Sequence, residues 1–249
     1  MRFLVTNDDG VHARGLAVLA GVAAQLGQVT VVAPDREQSA TSHSLTLHRP
    51  VRATRLPDGR FTVDGTPTDC VMLALGALMP DKPTFLLSGI NHGPNMGEDV
   101  LYSGTVSAAM EGLTAGVPSI AISFAGGDLD VLDSQGPILQ RLLEQIVGVP
   151  DFPKETLLSV NLPPRPASEV KGIRVTTLGT RAFSEEIMQM RDPWGRPIYW
   201  IGGGRVSWSG SDESDFRAVH DGYVSVTPLH VDLTNYRLLE AVRAWRLSV

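Results

Sequence analysis

The residues best suited to chemistry stand near the start of the chain, where a short apolar run ends in acidic residues. Positions 4–10 read L-V-T-N-D-D-G, so Asp8 and Asp9 directly follow a segment typical of a buried parallel strand. In α/β folds, ligands bind at this end of a strand. Adjacent carboxylates repel each other in an apolar surrounding, and a hard divalent cation such as magnesium or manganese relieves that repulsion. The alternative is a plain turn with Gly10 at a positive φ.

Oxygen and amide groups recur in two later loops, each of which follows a predicted strand. The loop 35–44 reads D-R-E-Q-S-A-T-S-H-S, so Ser39 is a candidate metal ligand or phosphate donor, the alternative being a solvated surface loop. The segment 88–97 reads S-G-I-N-H-G-P-N-M-G. Its glycines allow a ligand to approach the backbone, and Asn91 and Asn95 offer amide groups that coordinate or donate.

A predicted helix start supplies a candidate anion site. Ser103, Gly104 and Thr105 open a helix that is expected to end at Ala115. The first turn of a helix has backbone N–H groups without internal acceptors, which makes it a ready phosphate site. The alternative is that Ser103 or Thr105 serves only as the N-cap, although one residue can do both.

Strands and helices alternate through the first 150 residues, which predicts an α/β fold with a mostly parallel sheet. Strands are predicted at 2–6, 28–33, 84–87 and 119–124, and helices that end at 26, about 78, 115 and 147, the last beginning at 132. A peripheral hairpin is predicted from 45–56 and 60–63 around a Pro-Asp-Gly turn. Because the strands are expected to be parallel, their polar carboxyl ends should meet at one edge of the sheet.

The texture changes near residue 151, and a β-rich extension is predicted from there. Strands are expected at 156–161, 171–177 and 223–228, followed by a terminal helix over 235–247. The turn 192–197 predicts a protruding hairpin whose exposed Trp194 and Trp200 form an association surface. The acidic residues Asp212, Glu213 and Asp215 are expected on a solvated loop. We therefore predict one domain over 1–249, with a core of about 1–150 and an extension of about 151–249.

Composition excludes several classes of protein. A net charge of −6 and a pI near 5.5 argue against a broad surface for nucleic-acid polymers. The single cysteine, Cys70, excludes an intramolecular disulfide and a multi-cysteine zinc site, and we expect it to pack in a helix. The sequence shows no signal-peptide pattern and no apolar run long enough for a membrane span. We therefore expect a soluble protein of the cytoplasm.

Taken together, the segments resemble the SurE family, the survival-protein nucleotidases. The resemblance is carried by T-N-D-D-G-V-H-A at 6–13, V-A-P-D-R at 32–36, the segment 39–47, G-T-P-T-D-C at 65–70 and S-G-I-N-H-G-P-N at 88–95. It continues through Y-S-G-T at 102–105, A-A-M-E-G at 108–112 and G-Y-V-S-V-T-P-L at 222–229. The match is weaker between Glu185 and Asp215. Thr6, Ala40 and His43 stand where many members have Ser, Gly and Asn.

The resemblance implies a fold, an activity and a set of site residues. The fold is a Rossmann-like three-layer core, with dimers or tetramers formed through exchanged carboxy-terminal elements. The activity is a divalent-metal-dependent phosphomonoesterase that acts on nucleoside 5′-monophosphates and also on 3′-monophosphates, with exopolyphosphatase activity in some members. The implied ligands of one magnesium or manganese ion are Asp8, Asp9, Ser39 and Asn91. The implied active-site positions nearby are Asn95, Ser103, Gly104 and Thr105.

We hypothesise that the metal polarises the phosphoryl oxygens, while Asn95 and the helix start at Ser103 hold the equatorial oxygens. Either a metal-activated water or a carboxylate such as Asp8 attacks phosphorus, and His12, His43 and His92 are candidates for the leaving-group acid. One alternative is a nucleotide-binding regulator whose metal site does not catalyse. Another is a Rossmann-type transferase or dehydrogenase, which the missing G-x-G-x-x-G fingerprint disfavours.

Overall fold

The computed structural model describes residues 1–183, 187–201 and 206–247, and its centre is a nine-stranded mixed sheet with helices on both faces. Two further two-stranded ribbons come from the later part of the chain. The strands are β1 (Arg2–Thr6), β2 (Gln28–Pro34), β3 (Ala53–Arg55), β4 (Phe61–Val63), β5 (Phe85–His92), β6 (Ser119–Phe124), β7 (Leu157–Leu162), β8 (Ile173–Val175), β9 (Thr180–Phe183), β10 (Ile187–Arg191), β11 (Pro197–Ile201), β12 (Val206–Ser209) and β13 (Val224–Leu229). The helices are α1 (Arg14–Leu26), α2 (Pro67–Leu73), α3 (Gly104–Thr114), α4 (Leu129–Ser134), α5 (Gly136–Val147), α6 (Asp215–His220) and α7 (Leu239–Ala244).

The predicted α/β architecture with a mostly parallel central sheet is confirmed. The strand order is β3-β4-β2-β1-β5-β6-β7-β13-β8, and β2, β1, β5, β6 and β7 run parallel to their neighbours in that series. The chain therefore leaves β1 for β2 on one side and returns to β5 on the other. In open α/β sheets such a reversal opens a crevice at the carboxyl ends of the strands, where ligands bind. β7, β8 and β13 come from after residue 150, so one sheet continues across that position.

Alternation along β1 explains the three layers. Phe3 and Val5 pack into an apolar cluster with residues of α1 and α5, whereas Leu4 packs into a second cluster with residues of α2 and α3. All three side chains are fully buried. Successive side chains of a strand point to opposite faces, so a strand covered on both sides must be apolar throughout.

Two predicted elements are shorter or longer than expected. β3 forms only at Ala53–Arg55 instead of across 45–56, because the main chain and hydroxyl of Thr46 both donate to the carboxylate of Asp69 on α2 instead of joining a ladder. The strand predicted at 84–87 extends to His92 as β5, with a register irregularity between Ser88 and Asn91. This extension carries part of the glycine-rich segment onto the sheet.

The single helix predicted over 132–147 is wrong, since two helices, α4 and α5, meet at Gln135. The side-chain amide of Gln135 donates to the carbonyl oxygens of Pro163 and Arg165, at 2.7 and 2.6 Å. Pro137, in the first turn of α5, has no N–H to continue an earlier helix.

The terminal helix predicted over 235–247 is shorter than expected. A single 3₁₀ turn at Tyr236–Leu238 precedes α7, which ends at Ala244. The predicted hairpin around 192–197 is present as β10 and β11, with Trp194 and Trp200 both exposed.

The position expected for Asp215 is also wrong. Asp215 is fully buried at the start of α6 instead of lying on a solvated loop, while Asp212 and Glu213 are exposed. Its carboxylate accepts hydrogen bonds from the main-chain N–H groups of Gly97, Gly179 and Phe216, at 2.8 to 2.9 Å. A buried acid with this many donors ties three segments together, which a run of acidic residues in the sequence does not reveal.

Candidate metal and phosphate site

Most of the predicted site residues line one small depression at the carboxyl ends of β1 and β5. This carboxylate pocket has a volume of about 200 Å³. Its lining includes Asp8, Ser39, Asn91, Asn95 and Ser103, together with Ala40, His92, Pro94, Asp99 and Tyr102. Asp9 lines a neighbouring depression that also contains His92. Residues far apart in the sequence therefore meet where the strand order reverses.

Asp8 is the most constrained of these groups. It lies two residues after the end of β1 and is almost fully buried. Its Oδ1 accepts a hydrogen bond from the hydroxyl of Thr105, the second residue of α3. The pKa of Asp8 is raised to about 6: burial is the largest cause, the hydrogen bond from the Thr105 hydroxyl lowers the pKa, and the charge of Asp9 adds to the rise.

Asp9 is also a partly buried carboxylate whose pKa is raised, although less than that of Asp8. Its Oδ2 accepts the main-chain N–H of His92 at 3.0 Å. Burial raises its pKa, the nearby charge of Glu37 adds to the rise, and the hydrogen bond from His92 lowers it. Of the described residues that line the carboxylate pocket, none is Lys or Arg. Two adjacent carboxylates beside a pocket whose described lining has no lysine or arginine form a donor set that fits a divalent metal ion.

The other predicted ligands present oxygen atoms as well. The side-chain nitrogen of Asn91 donates to the carbonyl of Gly93 at 2.9 Å, so the amide oxygen is the atom suited to a cation. The hydroxyl of Ser39 donates to Glu37 at 2.6 Å and keeps its lone pairs for a ligand. Ala40 has a φ of +56°, a backbone conformation that glycine adopts more readily than alanine.

The start of α3 lies against Asp8. Ser103 is its N-cap, and its Oγ accepts the N–H of Val106 at 3.1 Å. A Cβ atom at Gly104 would lie 2.8 Å from the Cβ of Asp8, so only glycine lets the helix approach this closely. The first-turn N–H groups of Gly104 and Thr105 have no acceptor within the helix and suit an anion.

Asn95 is held by residues that the sequence did not single out. Its main-chain N–H donates to Oδ1 of Asn161 at 2.9 Å, and its side-chain nitrogen donates to the hydroxyl of Ser123 at 2.8 Å. Asn161 returns a bond to the carbonyl of Asn95 at 3.0 Å. Ser123 and Asn161 lie near the carboxyl ends of β6 and β7. Asp8 was predicted as a site residue because it follows a strand, and the same criterion could have identified Ser123 and Asn161.

The three histidines proposed as acids occupy different surroundings. His92 lines the carboxylate pocket, and its ring lies 3.4 Å from the carbonyl of Gly127. The ring of His43 pairs with Glu111 of α3 at 2.9 Å, and His12 is exposed. Only His92 is therefore brought beside Asp8 and Asn91.

Comparison with known proteins identifies the family. The family model described as survival protein SurE matches residues 3–185, which is well over half of the chain. This chain belongs to the SurE family. The resemblance drawn from the sequence motifs is therefore confirmed.

SurE relatives match the chain over nearly its whole length. A protein named 5′-nucleotidase SurE from Gemmatimonas aurantiaca is 62% identical over 248 residues, covering 98% of each chain. Another of the same name from Geotalea uraniireducens is 48% identical and covers 100% of both. The crystal structure of SurE protein from Aquifex aeolicus superimposes with a TM-score of 0.87 at 40% identity, covering 99% of this chain and all of that one.

Proposed function

We propose that this SurE chain is a metal-dependent 5′-nucleotidase that hydrolyses nucleoside 5′-monophosphates to nucleoside and phosphate. Full-length relatives named 5′-nucleotidase SurE support the activity, the more similar of them at 62% identity. The observation that supports the chemistry best is the carboxylate pocket itself, which combines Asp8 with the amides of Asn91 and Asn95 beside the start of α3. Oxygen ligands and anion donors at one spot are what a phosphomonoester and its metal require.

In this proposal the metal ligands are Asp8, Asp9, Ser39 and Asn91, and magnesium or manganese suits such oxygen donors. When bound, the ion acts as a Lewis acid on the phosphoryl oxygens. The hydroxyl of Thr105 holds the carboxylate of Asp8 in place, as the hydrogen bond between them supports. Ser103, Gly104 and Thr105 provide the phosphate-binding helix start.

Asn95 has a catalytic role in this proposal. Its side-chain nitrogen is fixed on Ser123, so its orientation is set before a phosphate arrives. An amide held in this way stabilises negative charge on an equatorial oxygen of the transferring group without having to reorient.

Several finer properties remain predictions. We expect a homodimer or homotetramer, hydrolysis of 3′-monophosphates and polyphosphate as secondary activities, and a cytoplasmic location. In the described residues, no helix has the length and apolar content that crossing a membrane requires.

A panel of phosphomonoesters tests the proposal. Purified protein, stripped of metal with a chelator, is assayed for phosphate release from the common nucleoside 5′- and 3′-monophosphates with magnesium, with manganese and without metal. We expect metal-dependent release that is fastest from 5′-monophosphates. Nucleotide binding without release under every metal condition would instead favour a regulatory protein.

A further inference from the structure

A second depression lies directly beside the carboxylate pocket. It is a cleft of about 800 Å³, within the 300–1,000 Å³ typical of small-molecule sites, whereas the carboxylate pocket of about 200 Å³ is smaller than that range. Pro94 lines both depressions, and Met96 lines the cleft while Asn95 lines the pocket. One stretch of chain therefore forms the wall between them.

That wall is fixed on both sides. The main-chain N–H of Asn95 donates to Asn161, and the N–H of Gly97 donates to the buried carboxylate of Asp215. Asp215 is followed by Phe216, which lines the cleft. The cleft and the carboxylate pocket therefore keep a set position relative to each other.

The cleft offers an aromatic surface. Trp208 of β12 and Phe216 of α6 both line it, with ring centroids 5.6 Å apart and ring planes 16° from parallel. Both side chains are partly exposed. A flat, partly open aromatic pair of this kind binds planar heterocycles by stacking.

The polar residues of the cleft are mainly hydrogen-bond donors. Arg165, from the segment after β7, and Arg217 of α6 line it, and Glu169 is the one carboxylate among its described lining residues. Arginine has donors only, so it complements the carbonyl and ring-nitrogen acceptors of a nucleobase.

We propose that this cleft is the nucleoside-binding subsite, in which the base stacks on the Trp208–Phe216 pair while the phosphate occupies the carboxylate pocket. The inference rests on the proposed nucleotidase function and adds the part of the substrate that the metal and phosphate residues do not touch. A polyphosphate chain is the rival occupant of a cleft with two arginines, but it has no planar face to use the aromatic pair.

Two substrates that differ only in the base test the subsite. Adenosine 5′-monophosphate and ribose 5-phosphate carry the same phosphoryl group on the same hydroxyl of the sugar. We expect Trp208→Leu to lower kcat/KM for the nucleotide about tenfold, the usual contribution of base stacking, and to leave kcat/KM for ribose 5-phosphate within about twofold. Trp208→Phe keeps an aromatic face and should restore most of the nucleotide activity.

The matched control is Phe61→Leu. Phe61 is a partly exposed aromatic residue of β4, and its ring packs against the guanidinium of Arg55 on β3. It lies toward the other edge of the sheet and does not line the cleft. Its substitution should leave the ratio of the two kcat/KM values unchanged.

Three results would overturn the subsite. One is an equal loss on both esters in Trp208→Leu, as a purely structural role predicts, and another is no loss on either. The third is a loss confined to tripolyphosphate, which would assign the cleft to the rival occupant. Wild-type protein that releases phosphate from neither ester would contradict the nucleotidase function itself. Failure of the subsite alone looks different, because wild type would then hydrolyse the nucleotide while the ratio of the two kcat/KM values would not change in Trp208→Leu.

Discussion

Asp8 is a carboxylate held where its charge is unfavourable. It is almost fully buried beside a second carboxylate, and its pKa is raised to about 6, chiefly by burial. The hydroxyl of Thr105 is the donor that holds it in place. A carboxylate in such surroundings favours binding of a cation. A bound metal relieves the repulsion between Asp8 and Asp9, which protonation would otherwise have to relieve.

The raised pKa of Asp8 predicts how stability depends on pH in metal-free protein. A carboxyl group whose pKa is higher in the folded state favours folding below its unfolded value of 3.8, and that contribution is lost as pH rises through about 6. In chelator, Asp8→Asn should therefore be more stable than wild type by about 3 kcal/mol at pH 7.5, with little difference near pH 4. Urea unfolding at the two pH values measures this.

The control for this experiment is Asp81→Asn, since Asp81 is an exposed partner of Arg2 at 3.6 Å. It should change stability little at either pH. A difference between Asp8→Asn and wild type that is the same at both pH values would contradict the assignment.

Gly104 is predicted to be required for the site because of space alone. A Cβ at this position would lie 2.8 Å from the Cβ of Asp8 and 2.9 Å from its Oδ2. Gly104→Ala should therefore displace Asp8 or the helix start and lower kcat/KM by at least about a hundredfold, since small misplacements of reacting groups have effects of this size.

Gly21→Ala is the matched substitution in a helix. Gly21 lies within α1, and an added Cβ would have no atom within 4 Å. It should leave activity unchanged and stabilise the fold by roughly 0.5–1 kcal/mol. Near-normal activity in Gly104→Ala would show that the close approach of α3 to Asp8 is not needed.

At the scale of elements, the sheet edge brings the site together. β1 and β5 are parallel neighbours, with Thr6 opposite Ser88. The polar residues that follow these two positions therefore lie side by side. This much was predictable, because apolar runs that end in polar residues identify parallel strands and the edge at which they meet. The metal and phosphate candidates were found from that pattern and from the family motifs.

What the sequence could not provide was side-chain partnership across long separations. Thr105 and Asp8 are 97 residues apart, and Asp215 reaches Gly97 across 118 residues. Neither pairing has a local signal, since a threonine at a helix start and an acid in an acidic run look like a cap and a solvated loop. The break at Gln135 has the same origin, because the acceptors of its amide lie on the segment after β7.

Asp215 is predicted to hold the segment beside Asn95 to the later part of the chain. Its carboxylate accepts three main-chain N–H groups, and an asparagine would turn an N–H donor toward at least one of them. Asp215→Asn should destabilise the protein by about 2–3 kcal/mol, because it leaves buried donors unpaired. Urea unfolding checks this, with Asp212→Asn in the same acidic run as the control. Equal stability of the two variants would count against the role.

At the scale of the whole molecule, the β10–β11 hairpin exposes apolar side chains on both faces. Trp200 lies opposite Met188, and Ile201 lies opposite Ile187, on alternate sides of the ribbon. All four are at least half exposed, and Ile201 is 92% exposed. A two-stranded hairpin is marginally stable alone, and apolar surface on this scale marks an association site.

We therefore predict that the chain associates through this hairpin. Light scattering after size-exclusion chromatography should give the mass of a dimer or tetramer for wild type and a smaller mass for the double variant Trp200→Lys and Ile201→Lys. Gln189→Lys on the same hairpin is the control and should keep the wild-type mass. A monomeric wild-type protein at micromolar concentration would refute the prediction.

The central claim is that Asp8 and Asp9 hold the metal on which phosphate release depends, and one titration tests it most directly. Manganese is added to chelator-stripped wild type, Asp9→Asn and the control Asp81→Asn, and binding heat and release of phosphate from adenosine 5′-monophosphate are followed on the same samples. We predict one bound ion per chain and metal-dependent release in wild type and Asp81→Asn, and loss of both in folded Asp9→Asn. Wild-type turnover by Asp9→Asn, or release from the nucleotide without any metal, would contradict the account.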